Sequence, residues 1–165
     1  MNAEITCDNP FWNYSLRFYA RPRVGDVCVG LQDRASVDVN VLLYLLWLST
    51  AGKTVSSEEM RMVDARVKAW REQVVIPLRA IRRNLPKEAT ASKKSFRDGI
   101  KKLELQSERI EQDDLYAIFP DLVSGGPDNG SARANLARYA EYLNFRFEDE
   151  ELEALLGAYA DVSAR

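Results

Sequence analysis

The chain has 165 residues, 46% of them hydrophobic and 29% charged, with a formal net charge of -2, a composition that suits one globular domain and argues against wholesale disorder. It contains no histidine, which removes Ser-His and Cys-His nucleophile pairs, imidazole acid-base chemistry near neutral pH and every histidine-containing metal site. Cys7 and Cys28 are the only cysteines, so neither a disulfide framework nor a zinc site is expected and a reducing cytoplasm is the natural setting.

In chain order, residues 1–8 read as a tail, with no basic and apolar leader to suggest secretion. Asn9-Pro10 opens a first helix, Asn as cap and Pro at the first helical position. Phe11, Trp12, Ser15, Leu16, Phe18 and Tyr19 give it an aromatic face of the kind that fills a core, and Arg21-Pro22 ends it. A short second helix starting near Pro22 carries Val24, Val27, Cys28 and Leu31 at spacings of three and four.

The organising stretch is residues 38–51. Apolar residues fill every position from Val41 to Leu48, with Asp38 placed to cap and Gly52 to stop. A helix apolar all round is a buried one. At about 14 residues it is shorter than the ~20 needed for a membrane span, so no span is expected.

Ser56 and Glu59 then form a capping box for a long helix whose periodic face is Met60, Val63, Val67, Trp70, Val74, Leu78, Ile81 and Leu85. Pro77 predicts a kink with that same face staying buried. After a turn, Ser92 is placed to cap a helix to about residue 119, with Phe96, Ile100, Leu103 and Ile110 forming its apolar stripe. Residues 57–85 and 92–119 thus make an antiparallel hairpin. Residues 120–130 read as a flexible loop. Helices over about 131–145 and 148–160 complete the chain, the last opening with four acidic residues that suit its positive end. The expected fold is all-α: one domain over 1–165, a bundle of six to seven helices around the buried central one.

Several of these residues also carry a resemblance. Phe11-Trp12, Ser15-Leu16, Tyr19, Arg21-Pro22, Leu31-Gln32-Asp33, Asp38-Val39-Asn40, Trp47-Leu48, Trp70-Arg71 and Pro77-Leu78-Arg79 resemble a proteobacterial family of similar length described as a domain of unknown function. The resemblance spans residues 10–85 and implies a bacterial cytoplasmic protein, with no activity to carry over.

Two places could hold function. Basic and acidic side chains number 6 and 8 over residues 1–65, 12 and 3 over 66–102, and 5 and 14 over 103–165. In the basic block Arg79, Arg82, Arg83, Lys87, Lys93, Lys94 and Arg97 converge on the hairpin tip. Such a patch can be a plain solvated face or a contact for an acidic protein surface or RNA, and a non-enzymatic adaptor using it is the preferred function. The same blocks permit a homodimer, basic against acidic.

The other place is the polar set Gln32, Asp33, Arg34, Asp38, Asn40, Tyr44 and Trp47, either a structural network or a small-molecule pocket, in an enzyme or binding protein, with Asp33 or Asp38 as acid-base group and Arg34 as anion binder. Paired aspartates at the spacing of isoprenoid synthases are absent, as is a P-loop lysine beside Gly125-Gly126. No catalytic residue, metal ligand or cofactor is assigned.

Overall fold

A computed structural model describes residues 9–87, 90–122 and 125–164, and the expected tail lies outside them. The fold is an all-helical bundle, with no strand among the described residues. Its elements are α1 (Pro10–Tyr19), α2 (Val24–Ala35), α3 (Val39–Ser49), α4 (Ser57–Trp70), a π turn (Arg71–Val75), α5 (Ile76–Asn84), α6 (Ala91–Tyr116), α7 (Asn129–Leu143) and α8 (Asp149–Ser163). None of these helices is long and apolar enough to cross a membrane.

Helix α3 is the axis of the bundle. From Asn40 to Leu46 every side chain is buried, and so are Leu48 and Ser49. It packs against α7, α6 and α1. Burial of each large aliphatic side chain contributes about 1.5–3 kcal/mol, so this single helix anchors the core. Asp38 caps it by accepting from the Asn40 and Val41 amides at 2.9 and 3.3 Å. Gly52, at φ 75°, turns the chain away at its far end.

The loop after α6 is tied to that far end. Gly125 N–H donates to the Ala51 carbonyl at 3.0 Å, and Asp128 N–H to the Ser49 carbonyl at 3.2 Å. A Cβ on Gly125 would lie 3.0 Å from the Ala51 oxygen, so the close approach favours glycine. The segment expected as a flexible loop is therefore held by backbone hydrogen bonds in its described residues 125–130, while Val123 and Ser124 fall outside the description. Asp128 caps α7, starting it two residues earlier than expected.

Three expectations for the hairpin change. Helix α6 is capped by Thr90 rather than Ser92 and stops at Tyr116. The strain expected as a kink at Pro77 is taken up by the π turn, whose wider loop just before it relieves the clash of the proline ring with the preceding turn. The apolar face of α4 stays buried through Met60, Val63 and Val67, yet beyond the π turn Leu78 and Leu85 are only partly buried and Ile81 is nearly half exposed. Adding one residue to a turn rotates everything after it about the helix axis.

The largest correction concerns α6. Its buried residues are Glu104, Ser107, Glu111, Gln112 and Leu115. Of the expected apolar stripe, Phe96, Leu103 and Ile110 lie outside instead, 61%, 50% and 37% exposed, and Ile100 is partly covered. Charged partners on α4, the π turn and α5 reverse the expected orientation.

One buried side chain joins α7 to α3. Asn135, fully buried, accepts from Val55 N–H at 2.8 Å and donates to the carbonyls of Leu45 and Lys53 and to Ser49 Oγ at 3.1, 2.9 and 3.0 Å. Replacing it with leucine strands several buried polar groups at once. Asn135→Leu is expected to destabilise the fold by about 3 kcal/mol or more, measured by urea denaturation.

Candidate functional site

Between the hairpin and the body lies a cleft of about 1630 Å³. Helices α1 and α2, the start of α3, the α4–α5 rod, α6 and the end of α7 all contribute to its lining. Leu16, Tyr19, Val29 and Ile76 stand on its walls, each between 43% and 52% exposed. Arg83 of α5 forms a 2.9 Å ion pair with Asp33 of α2, linking the two sides.

Its floor is ionic. Arg71 Nη1 lies 2.9 Å from both Asp38 Oδ2 and Asp64 Oδ1. The π turn begins at Arg71, and the α3 cap is Asp38, so one guanidinium links the start of the core helix to the irregular turn of the rod. Burial pulls the Arg71 pKa down, but the two carboxylates outweigh that effect and leave it raised. Tyr142 donates to Asp64 Oδ2 at 2.8 Å, and the Tyr139 hydroxyl accepts from Asp38 N–H at 3.0 Å.

Beside this group, Asn40 donates to Glu111 Oε2 at 3.0 Å and accepts from Gln112 Nε2 at 2.9 Å. Glu111 is fully buried, and its Oε1 has no donor within the described residues. Burial, and then the neighbouring Asp38 carboxylate, push the Glu111 pKa up to about 10. Glu111 therefore carries a proton at neutral pH and donates it toward Asp38.

Further out, Arg79 pairs with Glu104 at 3.2 Å and Glu108 at 2.8 Å, and Arg82 forms a two-point contact with Glu104. Burial opposes ionisation of Glu104, yet Arg82 and Arg79 hold its pKa below the usual range. Glu108 moves the other way, because burial outweighs the help of Arg79.

Of the polar set read from the sequence, Gln32, Asp38 and Asn40 line the cleft. Arg34 is directed elsewhere, bonding Glu151 and the Arg146 carbonyl against α8. Tyr44 and Trp47 enter an aromatic cluster with Phe11 and Tyr116. Of the tip cations, Arg79, Arg82 and Arg83 are engaged within the chain. Lys87, Lys93 and Lys94 are exposed, Arg97 is partly covered, and none of the four forms an ion pair among the described residues.

A family model described as "Protein of unknown function (DUF2390)" matches residues 10–115. The chain belongs to the DUF2390 family. No curated protein matches it, and neither does any solved structure. The DUF2390 span contains every cleft-lining residue except Tyr139, Tyr142 and Leu143. Helix α7, which lies beyond that span, packs along α3, and α8, also beyond it, packs on α1, α2 and α7.

Arg71, Asp64, Glu104, Glu108, Glu111 and Gln112 were not singled out from the sequence, although a signal exists. Glu104, Glu108 and Glu111 recur at helical spacing on α6, as Asp64 and Arg71 do on the rod, and Arg79 and Arg82 follow at three. Two charged stripes of opposite sign on the arms of one hairpin can face each other. Among the described residues no group of three or more His, Cys, Asp or Glu side chains could hold a metal ion.

Glu111 provides a pH test. Its folded pKa lies above its unfolded value, so stability is greatest below the unfolded pKa and is lost as pH rises toward the folded one. Glu111→Gln keeps the shape and a donor for Asp38 while removing the titration. Thermal melts are expected to show little difference from wild type near about pH 4.5 and a stabilised variant whose advantage widens up to about pH 9.

Proposed function

We propose that this DUF2390 protein binds a small amphipathic organic ligand in the cleft. The apolar body of the ligand lies against Leu16, Tyr19, Val29 and Ile76, and its polar end points toward Asp38, Asn40 and Arg71. The observation that carries this reading is the pairing, within one cleft, of large exposed apolar side chains with buried, mutually hydrogen-bonded ionisable groups. Exposed apolar side chains gathered in one concave place are a common mark of a binding site. The reading is of binding rather than turnover, since the floor carboxylates Asp38 and Asp64 are both already engaged by Arg71.

Leu16→Glu and Val29→Glu alter exposed wall positions and are expected to leave the melting temperature of the free protein unchanged. A compound that raises the melting temperature of the wild type in a metabolite screen is expected to bind these variants at least about tenfold more weakly. Equal stabilisation of wild type and variants, or no stabilising compound for the wild type, would overturn the reading.

A second reading uses the hairpin tip, supported by the absence of ion pairs at Lys87, Lys93, Lys94 and Arg97 among the described residues. Here the protein is an adaptor for an acidic protein surface or RNA. Arg82 and Arg83 are unsuitable for testing it, because they hold Glu104 and Asp33. Reversing Lys87, Lys93 and Lys94 to Glu is expected to abolish low-salt capture of RNA or an acidic protein without shifting the thermal melt, whereas unchanged capture would remove this reading. A bacterial cytoplasmic setting goes with both readings and agrees with a free, buried Cys28.

A further inference from the structure

Arg71 spends only part of its guanidinium. Its Nη1 serves both Asp38 and Asp64 at 2.9 Å. Nε and Nη2 have no partner among the described residues, and neither atom is buried. These two nitrogens form the edge of a guanidinium that offers two parallel N–H groups to one acceptor group. Arg71 is partly exposed, lines the cleft and opens the π turn, and π turns inside helices recur at functional sites.

Gln112 supplies the complementary group. It is 3% exposed and lines the cleft, yet its Oε1 receives no hydrogen bond among the described residues. Its polarity is set by a chain that starts at Asp38. Glu111 directs its proton to Asp38, which leaves Glu111 Oε2 to accept from Asn40 at 3.0 Å. Asn40 must then accept from Gln112 Nε2 at 2.9 Å, so the open end of Gln112 is its carbonyl. Buried polar atoms almost always find a partner, and an acceptor left open beside a cleft points to a donor supplied from that cleft.

Charge narrows the class further. Asp38 and Asp64 outnumber Arg71 by one, so a carboxylate at the open edge would face two carboxylates across the guanidinium, and an ammonium would face the guanidinium itself. Other charges on the walls are matched: Lys68 holds Glu72, Arg83 holds Asp33, and Arg79 and Arg82 hold Glu104 and Glu108. Lys101, Lys102 and Asp98 line the cleft from exposed positions, where water and salt screen them. An uncharged group with a carbonyl for Arg71 and an N–H for Gln112 satisfies both open ends.

We propose, resting on the ligand-binding role set out above, that the cleft takes a neutral amphipathic carboxamide, its carbonyl oxygen accepting from Arg71 Nε and Nη2 and its N–H donating to Gln112 Oε1. Four probes that share a heptyl chain test this by calorimetric titration of the wild type: octanamide, octanoate, octylammonium and methyl heptyl ketone. Octanamide is expected to bind at least about tenfold more tightly than each of the others. The ketone is the sharpest comparison, since a methyl group replaces the amide nitrogen in nearly the same shape. In proton–nitrogen correlation spectra, octanamide is expected to move the Arg71 Nε–H signal.

Equal binding of the ketone, octanoate or octylammonium, or an Arg71 signal that bound octanamide does not move, would overturn the carboxamide assignment. The cleft itself still stands as a binding site in that case if Leu16→Glu and Val29→Glu weaken whichever probe binds. Octanamide bound equally by the wild type and both wall variants would remove the assignment and the cleft together. Failure of all four probes to bind also overturns the assignment, and the metabolite screen then decides the cleft.

Discussion

Arg71 is the fastening on which the arrangement of hairpin and body depends. One guanidinium nitrogen reaches Asp38, which starts the core helix, and Asp64, which lies on the rod two turns before it. Taking these charges out of water costs several kcal/mol per ion, and only close pairing offsets that cost. Removing one member would therefore be far worse than never having built the group. The same carboxylate of Asp38 satisfies two free amides of α3, so helix capping and ion pairing converge on one residue.

Glu111 shows how the floor balances its charge. Asp38 and Asp64 already exceed Arg71 by one negative charge, and a third ionised carboxylate beside them would stand almost uncompensated. The fold retains a proton instead. Asn40 and Gln112 then fix the orientation of the acid through a chain of amide hydrogen bonds. The outcome is an ionisable group held neutral against a charged one, at the base of a cleft open to solvent.

The hairpin follows the same principle. Helices α5 and α6 are joined by the ion pairs of Arg79 and Arg82 with Glu104 and Glu108. Because a helix has two sides, turning the carboxylates inward turns Phe96, Leu103 and Ile110 outward. The cleft and the exposed row are thus two results of one choice of orientation. The π turn contributes by rotating α5 relative to α4, so that arginines replace the apolar face that α4 buries.

Much of this was determined by sequence alone. A run of apolar residues on every side of residues 41–48 can be satisfied only by full burial, and Asn9, Asp38 and the Ser56–Glu59 box specify helix starts through local hydrogen bonds that need no tertiary partner. The family resemblance, carried by residues 10–85, is likewise a property of the string. What tertiary structure alone decided is which side of α6 faces in. Apolar periodicity favours one side, and the value of the charged side depends on whether arginines stand opposite it. That is a property of two segments brought together across a turn. Placement of Asp38 and Asn40 in the cleft, with Arg34 turned toward α8, was decided in the same way: neighbours in sequence part company when a helix ends between them.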